Sequence, residues 1–286
     1  MELPEIVVEG LKGWKLSWKP IQIFPLGDTH IGQQGTSDKE IKRFVSEGMD
    51  RGAWFLGMGD YIDLATPSNR SFIRSANLYD VAKEAFTEKA ERLIEQFLML
   101  VKGTEGKWVG LLHGHHYFEF EDGTTSDTRI AQALKAPYLG TCAMLNFSFR
   151  RTVGSSISYK IFCHHGNGNG IMPYSPLNKL YHVMHSWEAD CYLIGHQHKT
   201  PIIKAPRIYM NDMPPYKLIS KKRILAGTGG FFEGYHVGSK AVGTNRPEGS
   251  YVEKALMSPV SIGGISIKIT PIHTETRDYF DHRVET

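Results

Sequence analysis

Two hydrophobic rhythms alternate along the chain. Short apolar runs at 21–26, 53–58, 108–112, 144–150, 157–163, 191–194, 223–226 and 265–272 read as strands, and several end directly in polar, glycine-containing turns. Between them apolar residues recur at helical spacing. Ile41, Phe44, Val45, Gly48 and Met49 follow Ser37 and Glu40, an S-x-x-E capping box, and Gly52 can close the segment. A longer helix over 81–101 carries Phe86, Ala90, Leu93, Ile94, Phe97, Leu98 and Val101 on one face, a stripe that reads as core packing. Shorter helices are expected over 126–134 and 177–187. Strands alternating with helices, followed by strand-rich and glycine-rich sequence, predict an α/β protein whose later sheet is mixed or antiparallel.

No repeat or Pro/Gly/Ser-rich linker divides the chain, so one compact domain over 1–286 is expected, with a loop-helix insertion at about 64–102. With 286 residues and 41% hydrophobic content it can bury a sizeable core. The 33 basic and 30 acidic side chains leave a formal charge of +3, too little to draw in nucleic acid or an anionic membrane by field alone. The segment MELPEIVVEG lacks an apolar targeting core, and no run of about 18 apolar residues occurs, which points to a cytoplasmic protein without a membrane span. Cys142, Cys163 and Cys191 are odd in number and sit in or beside strand-like segments, which reads as free thiols.

Histidine changes the picture. Five segments follow strand candidates in order: GDTHIG with Asp28 and His30, GMGDYID with Asp60, HGHHYF with His115 and His116, CHHGNG with His164 and His165, and GHQH with His196 and His198. Any one alone is an ordinary turn acid or polar histidine. Gathered at strand ends in one cleft, they would stack carboxylates and imidazoles at a cost that bound cations remove. D-x-H and H-x-H let two side chains flank one residue and converge on a shared ion.

The ordered set resembles the calcineurin-like metallophosphoesterase family, whose pattern is D-x-H, then G-D, G-N-H-E/D, H-G and G-H-x-H; the resemblance spans residues 27–198, and HHGNGNG followed by LNKL is similar to its phage-type members. It implies a two-sheet β sandwich flanked by helices, a four-layer α/β/β/α arrangement. It also implies two divalent metal ions: Asp28, His30 and His198 on one, His115, His165 and His196 on the other, and Asp60 between them. The family's ligand directly precedes a glycine, which selects His165 over His164. His115 stands where the family has asparagine, a softer ligand that favours Mn, Fe or Zn over Mg. His116 matches the family's catalytic histidine, which protonates the leaving oxygen or stabilises charge on the phosphoryl group. Tyr117 replaces the usual acidic partner of that histidine, leaving Asp63 as a candidate to orient it. His113 reads as a supporting strand-end residue, and His182 and His185 as a helix face.

Two cations about 3.5 to 4 Å apart would activate a bridging water for in-line attack on a phosphate ester. Arg70, Arg74 and Asn167 are the candidate phosphate contacts, with solvated loop residues as the plainer reading of each. Tyr117, Phe118, Phe231, Phe232 and Tyr235 are core or a stacking surface, and the KKR run at 221–223 a solvated strand edge. The expected function is hydrolysis of phosphodiesters or phosphomonoesters. A nuclease is an alternative that the near-neutral charge does not favour, and a catalytically silent metal-binding module is another, suggested by the altered GHHY motif.

Overall fold

The computed structural model describes residues 10–286 except 67, 68, 71, 72, 74–79, 155, 169, 213, 241–244 and 276. In chain order the elements used below are β1 (Gly10–Ser17), β2 (Ile21–Leu26), α1 (Asp38–Asp50), β3 (Trp54–Gly57), α2 (Asp80–Leu100), β4 (Trp108–Leu111), α3 (Ser126–Ala133), β5 (Cys142–Arg150), β6 (Ser156–His164), α4 (Ser175–Ser186), β7 (Cys191–Ile194), β8 (Ile202–Lys204), β9 (Arg207–Met210), β10 (Leu218–Lys221), β11 (Ile224–Gly227), β12 (Gly229–Gly230), α5 (Tyr251–Lys254), β13 (Gly263–Gly264), β14 (Ser266–His273) and β15 (Asp278–Glu285).

Two sheets face each other. One has the order β1-β5-β6-β7-β11-β8 and the other β15-β14-β2-β3-β4. Both are mixed: β2, β3 and β4 run parallel, as do β6, β7 and β11, while β14 and β15 add antiparallel neighbours. Strand alternation assigns the layers. Ile23 and Leu56 point into the space between the sheets with Leu145, Phe147, Ile161, Leu193 and Ile267. Their neighbours Phe24 and Phe55 point the other way, against Phe44, Leu93 and Phe97 of α1 and α2. On the outer face of the six-stranded sheet Phe162, Tyr192 and Leu225 meet Leu177, Leu180 and Met184 of α4. Helices, sheet, sheet and helix thus make the four-layer α/β/β/α architecture. No helix among the described residues is long and apolar enough to cross a membrane. Cys142, Cys163 and Cys191 are free.

Two local expectations are corrected, and strands also form where none was expected. Ser37 precedes α1 but makes no side-chain cap, and its backbone N–H, which a capping box would give to the Glu40 side chain, donates to the Phe231 carbonyl at 2.9 Å; a capping box forms instead at Thr125 and Thr128 of α3. Arg223 is buried rather than a solvated edge, and its guanidinium reaches the carbonyls of Ala205 and Met184. β1 and β15 form edge strands in segments that carry no apolar run.

Candidate metal centre

The polar motifs all leave the carboxyl ends of strands, where the two sheets abut. Asp28 and His30 follow β2, Asp60 follows β3, His113 to His116 follow β4, His165 follows β6, and His196 and His198 follow β7. Asp28, His30, Asp60, His196 and His198 have φ of 50, 45, 51, 67 and 52°, a left-handed backbone that non-glycine residues rarely adopt. Five such residues in three turns concentrate strain at one place, as functional sites do.

Backbone ties fix the turns to one another. The N–H groups of Thr29 and His30 donate to the Asp60 carbonyl at 3.0 and 3.1 Å, and Asp28 N–H to the Gly59 carbonyl at 2.9 Å. Asp28 Oδ2 accepts from His196 N at 2.9 Å. Asp60 Oδ1 accepts from the N–H groups of His115 and His116, the latter at 2.9 Å. That double contact requires a glycine before His115, since a Cβ on Gly114 would overlap Asp60 N and Oδ1.

Two groups of side chains with metal-ligand chemistry result, each within 4.8 Å: Asp60, His115, His165 and His196, and Asp28, His30 and His198; a third, His30, Asp60 and His116, overlaps them. Asp60 Oδ2 lies between them, 3.1 Å from His165 Nε2 and 3.9 Å from His30 Nε2. His30 Nε2 is 3.1 Å from His198 Nε2, and His115 Nδ1 is 3.3 Å from His196 Nδ1. His165 Nδ1 donates to the Met58 carbonyl at 2.7 Å, which leaves Nε2 facing the acids. His164 is outside both groups and accepts from Gly166 N–H at 2.7 Å.

Asp28 Oδ1, Asp60 Oδ2 and His165 Nε2 are three of only five buried side-chain polar atoms without a hydrogen-bond partner among the described residues. His165 Nε2 and Asp60 Oδ2 face each other at 3.1 Å, a contact that becomes an ion pair when the imidazole is protonated. Unpaired buried polar atoms are costly, so three in adjoining groups call for a missing partner, and carboxylate with imidazole is a donor set that divalent cations take.

Charge in the metal-free cluster is carried by few groups. Burial raises the Asp28 carboxyl to about 6, against the pull of His165. Burial also opposes ionisation of Asp60, but His165, His30 and His116 outweigh it and hold that carboxyl well below its ordinary range. The same contact works in reverse on His165, raised to about 9 by Asp60 and Asp28 despite burial. Burial and neighbouring His165 push His196 down to about 3, and burial with His30 pushes His198 well down, so both offer lone pairs.

His116 is half-buried beside the cluster, with Nε2 4.0 Å from Asp60 Oδ2 and Nδ1 2.9 Å from Asp63 Oδ1. The other Asp63 oxygen meets His30 Nδ1 at 3.1 Å. Asp63 thus occupies the place expected of an orienting carboxylate. His113 lies outside the two groups, with Tyr138 Oη at 2.8 Å from its Nδ1. His182 and His185 are exposed on α4.

The candidate phosphate contacts are placed differently. Arg70 donates to the carbonyls of His115 and Tyr117, and its guanidinium lies 3.4 Å from the Tyr117 ring centre. Lys179 donates to both oxygens of Asn167. Arg74 and Asn169 lie outside the described residues. Phe118 and Phe231 are core, whereas Phe232 packs against His30 and His198 with ring centres 5.8 and 6.2 Å apart.

Two contributors have no motif of their own. Asp127, buried at the start of α3, accepts from Gly114 N–H at 2.9 Å and so holds the 113–116 turn; the only signal is an acid on a helix face otherwise apolar. Gly230, in the GTGG run, lets β12 lie against His198 and Asp28.

No family model and no curated protein matches the chain. Among solved structures it is similar to Vacuolar Protein Sorting 29 from Cryptosporidium parvum, at 11% identity and TM-score 0.36, over 94% of this chain and 99% of that one. It is similar to a single-mutant form of the same protein from Entamoeba histolytica, at 11% and 0.34, over 93% and 100%. A conserved uncharacterized protein from Streptococcus pneumoniae TIGR4, described as a predicted phosphoesterase, is similar at 10% and 0.33, over 92% and 98%. Likenesses this distant assign no chemistry, which rests on the cluster's own geometry.

Proposed function

We propose that the chain is a dinuclear metal-dependent phosphoesterase acting on phosphodiester or phosphomonoester bonds. The observation that carries this reading is the convergence of the unpaired Asp28 Oδ1, Asp60 Oδ2 and His165 Nε2 among imidazoles. Asp28, His30 and His198 would hold one cation, His115, His165 and His196 the other, and Asp60 would touch both. The imidazole-rich set suits Mn, Fe or Zn better than Mg. When bound, two such ions supply water activation near neutral pH and polarisation of the phosphoryl oxygens.

The chain's own residues would do the rest. His116, its Nδ1 turned to Asp63, presents Nε2 to deliver a proton to the departing ester oxygen. Arg70 serves as a clamp on the turn that carries His115 and His116, since its guanidinium faces their loop's carbonyls. Asn167 keeps its amide nitrogen for a phosphate oxygen, its two carbonyl oxygens being turned to Lys179. The free thiols support a cytoplasmic location as part of the same proposal.

The test removes metal by chelation and assays bis-p-nitrophenyl phosphate and p-nitrophenyl phosphate before and after Mn²⁺ is restored, with His116→Ala alongside. Turnover that returns with Mn²⁺ and falls in the variant is expected. Turnover indifferent to chelation sinks the reading, and metal uptake without turnover of either ester leaves a silent metal-binding module.

A further inference from the structure

The cluster opens into a cavity of about 900 Å³, large for the phosphate group alone. His30, His116 and His198 line it, as does Phe232, which packs on His30 and His198. An apolar wall comes from two separate pieces of chain: Ile171 from the loop after β6, and Tyr235 with Leu256 and Met257 from the segments around α5.

Three features set this wall apart from incidental surface. Ile171 and Leu256 are 86% and 89% exposed, although both line the same cavity as the cluster. Leu256 has φ of 49°, an unfavourable backbone for a leucine that holds it at the rim. Tyr235 Oη donates to the Met257 carbonyl at 2.6 Å and so ties together the segments before and after α5. Charge is sparse there. Beyond the cluster and its Asp63, the lining carries Glu233 and Lys199, and the Lys199 ammonium is turned to the carbonyls of Gly170, Ile171 and Met172. Among the described lining residues, a polyanionic substrate such as a nucleic-acid strand would therefore meet an acid and no arginine.

We infer that the substrate is a phosphate ester with a bulky apolar alcohol, alkyl or acyl in character, whose phosphate reaches the cluster while its hydrocarbon lies along Ile171, Leu256 and Met257. This rests on the phosphoesterase reading. Hydrocarbon taken from water favours binding about fourfold per methylene buried, so chain length should be read out directly.

The full chain with Mn²⁺ is assayed on methyl, octyl and thymidine 5′ esters of p-nitrophenyl phosphate, the octyl ester below its micellar concentration. The octyl ester is expected to exceed the methyl ester in kcat/KM by on the order of tenfold or more, with the thymidine ester no better than methyl. Leu256→Asp should bring the octyl-to-methyl ratio toward one. A wild-type ratio within about twofold, or a preference for the thymidine ester, overturns the inference. Calorimetry with octylphosphonate and methylphosphonate on the Mn²⁺-loaded chain gives the same comparison without turnover. If no ester is hydrolysed, the phosphoesterase reading fails, while equal binding of the two phosphonates refutes the apolar wall and tighter octylphosphonate binding upholds it.

Discussion

Asp28 and Asp60 are built alike: each commits one carboxylate oxygen to backbone N–H groups of another turn and aims the other, unpaired, into the cluster. The bound oxygen fixes direction and the free one awaits a cation. Stability should therefore be linked to metal. Mn²⁺ at a hundred times its dissociation constant is expected to stabilise the fold by about 2.7 kcal/mol for one site, seen as a rise in Tm that chelation reverses. Asp60→Asn, which keeps the backbone contacts but removes the charge, should lose most of that rise. Equal Mn²⁺-induced shifts in wild type and variant would refute a ligand role for Asp60.

Metal binding should release protons. His165 stays protonated up to about pH 9 in the metal-free protein, and coordination needs its bare Nε2. Below about 9, then, each binding event at that site expels a proton, and affinity climbs with pH by up to tenfold per unit. At the other cation's site, binding below about 6 expels a proton from Asp28. Calorimetry in buffers of different ionisation enthalpy measures this release, and an affinity equal at about pH 6 and pH 8 would contradict it.

Asp63 links two imidazoles, with 2.9 Å to His116 Nδ1 and 3.1 Å to His30 Nδ1. Asp63→Asn is expected to lower hydrolysis 10- to 100-fold and to weaken metal binding as well, because both rings lose their anchor. His116→Ala should instead lower kcat by about 10²- to 10⁴-fold with metal content unchanged, as suits a proton donor that is not a ligand. Metal loss in His116→Ala would move that residue into the ligand set.

At Gly114 a methyl group has no room beside Asp60. Gly114→Ala should cost about 1 to 3 kcal/mol through overpacking and shift the turn carrying His115 and His116, so that stability and metal affinity fall together. A variant with wild-type affinity would show that the turn can adjust without disturbing the centre.

What could be read from sequence follows from where the information sits. β2 and β7 were legible at both ends because IQIFPL and CYLI are apolar runs that stop at Gly-Asp and Gly-His turns. The residue types of the candidate centre were legible because Asp and His are written in the side chains, and His165 rather than His164 lies with Asp60, His115 and His196. β1 was not, since an edge strand buries little and GLKGWKLS shows its partner only Trp14 and Leu16. Nor was the left-handed backbone at Asp28, His30, Asp60, His196 and His198, where no glycine announces it and tertiary contacts impose it. The capping box at Ser37 failed for a related reason: a long-range partner, Phe231, captured the N–H that local pattern assigned to the helix start.

Away from the centre, His282 gives a pH dependence that metal should not touch. Its Nδ1 accepts from Tyr159 Oη at 2.5 Å, between the sheets and beside Phe280. Burial, with Lys222 and Lys204 nearby, depresses its pKa below the ordinary 6.5 despite Asp190 and Asp281. The unfolded chain therefore binds the proton first, and between its pKa and the lower folded value stability rises with pH. The contribution is complete above about 6.5 and is lost as pH falls through the folded value, because a protonated ring can no longer accept from Tyr159. His282→Gln should thus cost about 1 kcal/mol in urea unfolding at pH 7 and less at pH 5, where the unfolded chain has taken up the proton and the neutral buried ring contributes less. A cost that is the same at both values would mean that His282 packs as a neutral shape alone and that its proton plays no part in folding.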